Sequence, residues 1–193
     1  MKDVILSILE AGIAAKRGCV ESNIDNIIRA AERLVACLEA SGKVFLFGNG
    51  GSAADAQHLA AELVNRFQIE RPPLAAIALT TDTSVLTSIG NDYHFDDIFT
   101  KQIKALGQKG DVAWGLSTSG NSPNVLKAVK TAQKMGIFTL GMTGRGGKLA
   151  RCADLVIAVG SDATARIQET HITVGHILCE LIERKLYPEQ FLE

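Results

Sequence analysis

"VFLFGNGGSAADAQHLAAELV", Val44 to Val64, is the stretch on which the fold turns. Four apolar residues, Val44–Phe47, run into Gly48-Asn49-Gly50-Gly51, and an amphipathic segment follows. A short apolar run, a glycine turn and then a 3.6-residue periodicity describe a buried parallel strand entering a helix. Ser52 followed by Asp55 has the form of an N-cap with a capping-box acid, which predicts a helix starting near Ala53. Glycines let the backbone turn sharply, and free amides at a helix start favour an anion or a hydroxyl-rich ligand. Gly48-x-Gly50-x-x-Ala53 also satisfies the relaxed dinucleotide fingerprint. That reading requires an acid about 20 residues further on, and the nearest strand-end candidate, Asp82, lies too far along.

The same alternation continues outward. Short apolar runs recur at residues 75–79, 112–116, 137–142 and 155–159, with helical patterns between them. Their lengths are those of buried parallel strands in βαβ units. The chain therefore reads as α/β, a three-layer α/β/α sandwich around a mainly parallel five-stranded sheet, with ligands at the carboxyl ends of the strands. Ahead of the sheet the first forty residues read as helix. Val4, Ile5, Ile8 and Leu9 recur at helical spacing, as do Ile24, Ile27, Ile28, Ala31, Leu34, Val35 and Leu38, and Gly42 ends the second helix. Residues 165–186 are helical again. With no repeat or linker, residues 1–193 read as one domain: a helical extension (1–42) used in oligomerisation and an α/β core (43–193). An apolar helix pair outside a closed α/β unit needs a partner surface, and a symmetric homo-oligomer supplies one.

The totals narrow the function. A net charge of -1 over 193 residues provides no basic field for nucleic acid. The opening "MKDVILSILEAGIAAKRG" has polar interruptions and no small-residue cleavage site, unlike a signal peptide. No apolar run approaches the roughly 20 residues that a bilayer span requires. A soluble, cytoplasmic protein without a membrane partner is expected. Cys19, Cys37, Cys152 and Cys179 are scattered without a C-x-x-C pair and read as buried small hydrophobes.

Two corners carry candidate chemistry. On the helix after Gly51, Leu59, Leu63, Ala56, Phe67, Ala60, Ala53 and Val64 form an apolar face, while Asp55, His58, Glu62 and Asn65 fall opposite. His58 and Glu62, four apart, can touch or share a ligand. At the second corner, the run 112–116 enters "STSGNSPN", with Ser122 as N-cap and Pro123 as first helical residue of a helix over 123–135. Ser117, Thr118, Ser119 and Ser122 set hydroxyls beside free helix amides, a phosphate cradle built from dipoles. The corner lacks the lysine of a nucleoside-triphosphate loop, so a monophosphate on a small metabolite suits it better. "TGRGG" at 143–147 is permissive but generic, and Asn91-Asp92 reads as a turn able to contact sugar hydroxyls.

"GNGGSAADAQHLAAEL", "IGNDYHFDDIF", "GLSTSGNSPNV" and "RIQETHITVGHIL" follow one another in an order that resembles the phosphoheptose (sedoheptulose 7-phosphate) isomerases of the sugar-isomerase (SIS) fold. The resemblance covers nearly the whole chain. It implies a homotetrameric cytoplasmic enzyme that supplies heptose for lipopolysaccharide core or another surface polysaccharide. It also implies a zinc site at His58, Glu62, Gln168 and His176. The implied sugar-phosphate contacts are Asn49, Gly50, Gly51, Ser52, Asn91, Asp92, Ser117, Thr118, Ser119 and Ser122, joined by Glu62 and Gln168. Ketose–aldose interconversion moves a proton between adjacent carbons through an enediol or enediolate; Glu62 is the expected base and His176 the expected acid. His171, outside the family's site, is read as structural. Eight residues of helix between Gln168 and His176 correspond to about 12 Å of axial rise. Either the helix starts at or after Gln168, or the ligands come from different subunits, which places active sites at subunit interfaces; the second is preferred. Ala165 departs from the aspartate that the isomerases carry three residues before the motif glutamine. The alternative is a non-enzymatic SIS paralogue that binds the bacterial replication initiator, which "NRFQIERPPLAAIALTTDTSVLT" and "LYPEQ" also resemble. The acid and histidine at Glu62 and His176 favour the enzyme.

Overall fold

Strand β1 (Val44–Phe47) is buried along its whole length. Val44 and Leu46 pack into one apolar layer, and Phe45 and Phe47 into the other. That two-sided burial follows from the two-residue period of a strand whose residues are all apolar. The computed structural model describes residues 1–191. β1 is followed by α2 (Gly51–Val64), β2 (Ala76–Ala78), α3 (Thr83–Asp92), α4 (Ile98–Leu106), β3 (Val112–Ser117), α5 (Pro123–Lys134), β4 (Phe138–Thr143), α6 (Leu149–Cys152), β5 (Leu155–Ala158) and α7 (Thr164–Leu186). α1 (Lys2–Glu39) precedes them. The five strands pair in parallel throughout in the order β2-β1-β3-β4-β5. Their connections reverse direction between β1 and β3, and that switch point leaves a crevice at the carboxyl ends of those two strands.

One layer holds α1, α2 and α7 against the Val44, Leu46, Trp114 and Met142 side of the sheet. The other holds α3, α4, α5 and α6 against Phe45, Phe47 and Ala113. Among the described residues no helix is long and apolar enough to cross a membrane.

The N-terminal helices are joined into one element broken at Asn23, whose φ of -123° and ψ of 15° are not helical. The cause is local: Asn23 Nδ2 donates to Cys19 O (2.8 Å) and reaches across to Ala158 O (3.1 Å) at the end of β5. A side chain competing for the i−4 carbonyl bends a helix in this way. Beyond the break, Ile27, Ala30, Ala31, Leu34 and Val35 lie in the core shared with the sheet. Before it, Val4, Ile5, Ile8, Leu9 and Ile13 remain exposed. The element ends at Glu39, ahead of the expected stop at Gly42, where Ser41 takes the left-handed conformation (φ 59°).

The start of α2 also differs from expectation. The helix begins at Gly51, with Gly50 (φ 55°) in the N-cap position and no side-chain cap. Ser52 is a buried residue of the first turn and not the cap, its N–H bonded to Asn49 O (3.1 Å). Gly50 can take the left-handed conformation without steric cost, so the first turn winds back two residues further than the Ser52–Asp55 pattern suggests.

Candidate active site

The two strand-end corners meet at the switch point. Asn49, following β1, and Asn124, in the first turn of α5, exchange amide hydrogen bonds of 2.9 and 2.8 Å. Asn124 is buried, and its Oδ1 also accepts the N–H of Val125. Sequence reasoning passed over Asn124, because an asparagine inside a helix start carries no sign of which distant loop it will meet. At the second corner Ser122 occupies the expected N-cap position with Pro123 next, yet its hydroxyl makes no cap bond. It lies 2.9 Å from Ser117 Oγ instead; Pro123 has no N–H, and Val125 and Leu126 give theirs to Asn124 Oδ1 and Ser122 O, so the first turn of α5 keeps the Asn124 N–H for a ligand.

Thr118 and Ser119 face a cavity of about 270 Å³ shared with Arg145, Gly146, Gly147, Ser161, Asp162, Thr164 and Ile167. Arg145 is paired with Asp162 at 3.2 Å. The cradle built from dipoles thus has one cation on its rim, supplied by the generic-looking 143–147 loop. His171 is fully buried beneath that loop, 3.2 Å from Thr143 O, and burial pushes its pKa down to about 4 against the lesser pull of that bond. A carbonyl can only accept, so neutral His171 donates from Nε2. Asn91 and Asp92 end α3, exposed and bonded to one another at 2.9 Å.

A second group forms where α2 and α7 lie side by side. His58 Nε2 is 2.9 Å from Glu62 Oε1 and 3.3 Å from His176 Nε2. The three ligand atoms all lie within 4.8 Å of one another. Two ring nitrogens facing at that distance must share either a proton or a cation. Two imidazoles and a carboxylate are the donors that divalent first-row cations take, so the cluster can hold one. Burial first, then the neighbouring His58, lowers the pKa of His176, with Glu62 opposing. That favours the neutral ring a ligand requires. Asp55, one turn before His58, is half-buried with no partner for Oδ2 among the described residues; burial raises its pKa to about 6, and His58 pulls the other way.

Gln168 is not in this group within one chain. α7 is continuous from Thr164, so the option of a helix starting at or after Gln168 does not hold. Its amide instead lies against Gly51, where a Cβ would come within 2.3 Å of Nε2. One chain therefore brings together His58, Glu62 and His176, and separately gathers Asn49, Gly50, Gly51, Ser52 and Gln168 beside the serine corner.

A family model described as SIS domain matches residues 10–144. Phosphoheptose isomerase from Nitratidesulfovibrio vulgaris is 53% identical over 177 residues, which cover 91% of this chain and 85% of that protein. Among solved structures, phosphoheptose isomerase from Neisseria gonorrhoeae superposes with a TM-score of 0.89 at 46% identity, covering 94% of this chain and 98% of the other. The phosphoheptose isomerase from Francisella tularensis gives a TM-score of 0.90 at 42% identity, covering 94% and 97%.

Proposed function

This chain belongs to the phosphoheptose isomerase family of SIS domains, and from that premise we propose that it interconverts sedoheptulose 7-phosphate and D-glycero-D-manno-heptose 7-phosphate. The observation that carries the reading is the convergence of His58, Glu62 and His176 in a fold whose other corner presents a cluster of hydroxyls at a helix start. A scaffold for the replication initiator has no chemical use for three converging donors. The product serves lipopolysaccharide core or another surface polysaccharide. The proposal puts the protein in the cytoplasm, where charged sugar phosphates are retained.

The phosphate is held by Ser117, Thr118, Ser119 and Ser122 with the Asn124 N–H at the start of α5, and the sugar hydroxyls by the 49–52 turn, Asn91 and Asp92. Glu62 takes the proton from the carbon next to the carbonyl, and a second group serves the oxygens; such groups contribute about 10²–10⁴-fold. The two tasks of Glu62 use different atoms: Oε1 faces His58, which leaves Oε2 for the proton. His176 is the acid. Its Nε2 faces His58, so Nδ1 is the nitrogen from which a protonated ring would serve the substrate oxygen. His58, Glu62 and His176 would hold the ion, and two imidazoles with a carboxylate suit zinc. When bound it polarises the substrate carbonyl and steadies negative charge on oxygen.

The assembly we propose is a homotetramer with active sites at subunit interfaces. Gln168 precedes His176 by about 12 Å along one helix, so a Gln168 that completes the centre comes from a partner subunit. The exposed apolar row before Asn23, including Val4, Ile5, Ile8 and Leu9, supports self-association. The test is incubation of purified protein with sedoheptulose 7-phosphate, with and without a chelator, and detection of the aldose. Aldose that disappears with the metal is expected. No aldose from metal-loaded protein refutes the activity, and undiminished turnover after complete metal removal refutes the zinc role.

A further inference from the structure

His58 and Glu62 stand on α2 and His176 on α7, so the geometry of the cluster is the geometry of that helix pair. At the end of α2 the pair is fastened by two charged side chains that solvent does not reach. Arg71 and Glu183, with side-chain exposures of 0% and 1%, form an ion pair of 2.9 Å. Arg71 Nη2 donates to the carbonyl of Glu62 itself (2.8 Å), and Nη1 to Leu63 O (2.9 Å) and Pro72 O (3.1 Å). Glu183 accepts the N–H groups of Phe67 and Gln68, both at 2.9 Å, and of Ile69 at 3.3 Å. It lies seven residues after His176 on α7, two turns along nearly the same face. At the level of the cluster itself Gly175 lets the helices close, since a Cβ there would come within 2.5 Å of Leu59 Cδ2.

Stability alone is a weak reason for such a pair, because buried ion pairs are often matched or exceeded by apolar residues of similar volume. Its contacts suggest another role: it satisfies carbonyls that the end of α2 leaves free, and one of them belongs to a ligand residue. We propose that Arg71 and Glu183 are positioning residues for the metal centre, setting the separation at which His58 and Glu62 meet His176. This rests on the metal reading of the cluster.

The test uses the double variant Arg71→Met/Glu183→Leu, which removes both charges together and leaves no orphaned ion. Metal-stripped original and variant proteins are titrated with Zn²⁺ against a chelating dye, and their metal-free unfolding temperatures are compared. A folded variant whose Zn²⁺ affinity falls about 10–100-fold, the loss typical of removing groups that support ligands, is expected. Its kcat should fall with little change in KM, because the phosphate corner is untouched. Equal Zn²⁺ affinity in the folded variant overturns the proposal. If the double variant does not fold, Arg71→Lys is read by the same titration. It keeps the charge beside Glu183 but lacks the planar fork that reaches Glu62 O and Leu63 O, and original affinity there overturns the proposal equally. Zn²⁺ bound by neither protein refutes the metal centre itself, whereas Zn²⁺ bound equally by both refutes the clamp alone.

Discussion

Replacing Gly120 with alanine should unseat the loop that carries the hydroxyls proposed to bind phosphate. Gly120 has a φ of 64°, and a Cβ there would meet Gly146 O at 2.2 Å and Thr143 Oγ1 at 2.5 Å. The left-handed conformation costs an L-residue roughly 1–2 kcal/mol. The collision adds about 1–3 kcal/mol, the usual range for overpacking, and the nearest atom is backbone and cannot rotate aside. The sum, about 2–5 kcal/mol, lowers the unfolding temperature of a domain this size by about 4–20 °C. Relief requires the 117–122 and 143–147 loops to separate, which moves Gly120 away from its bonds to Ser117 O and Leu149 N, both 2.9 Å. Losing one hydrogen bond to a charged phosphate costs about 1.5–3 kcal/mol, or about 10–150-fold in KM for the sugar phosphate. Thermal unfolding and steady-state kinetics read the two effects. Gly146→Ala is the control, since none of the described residues comes within 4 Å of a Cβ there, and it should leave both unchanged. A Gly120→Ala protein with the original unfolding temperature and KM refutes the interlocked-loop account, as does a Gly146→Ala protein equally impaired.

Glu62→Gln should lower kcat at least about 10²-fold with the phosphate-dependent part of KM intact; turnover equal to the original removes Glu62 as the base. Mixing inactive Gln168→Ala chains with inactive His58→Ala chains should restore activity in confirmed mixed assemblies if a partner's Gln168 completes the centre. Mixing Glu62→Ala with His176→Ala should restore none, because one chain supplies both groups. Acid stability should depend on His171, whose pKa is depressed from 6.5 to about 4 in the folded protein. The unfolded chain binds that proton first, so this stabilisation is complete above pH 6.5 and is lost as pH falls toward 4, on the order of 3 kcal/mol in all. Asp55, raised from 3.8 to about 6, acts in the opposite sense, its contribution present below 3.8 and lost as pH rises through 6. His171→Gln should therefore lose less stability on acidification than the original protein in denaturant titrations, and an unchanged pH dependence refutes the buried neutral ring.

Much of the fold was legible because its signals are local. Each strand is an apolar run between turn residues, and all five appear where the runs lie, in a fully parallel sheet. Pro123 and Ser122 marked the start of α5 within a residue. Ser52 misled because capping patterns presume an ordinary backbone, and Gly50 with its φ of 55° makes an earlier start available. Asn23 was hidden for a related reason: besides the carbonyl of Cys19 one turn back, its side chain bonds Ala158 O, a partner no local pattern reveals.

The candidate site divides the same way. His58 and Glu62 were readable as a pair from their spacing on one helix face, and the serine corner from four hydroxyls at one strand end. Both are matters of chain geometry over a few residues. No spacing rule puts His176 3.3 Å from His58, sets Gln168 against Gly51, or joins Asn49 to Asn124. Those meetings depend on how closely α2 packs beside α7 and β1 beside β3, across more than a hundred residues of chain in the first case. Helix contact at Gly175, burial of the Arg71–Glu183 pair and the register of the central strands decide them. Local periodicity determines which side chains are available on each element; only the packing of those elements decides which of them meet.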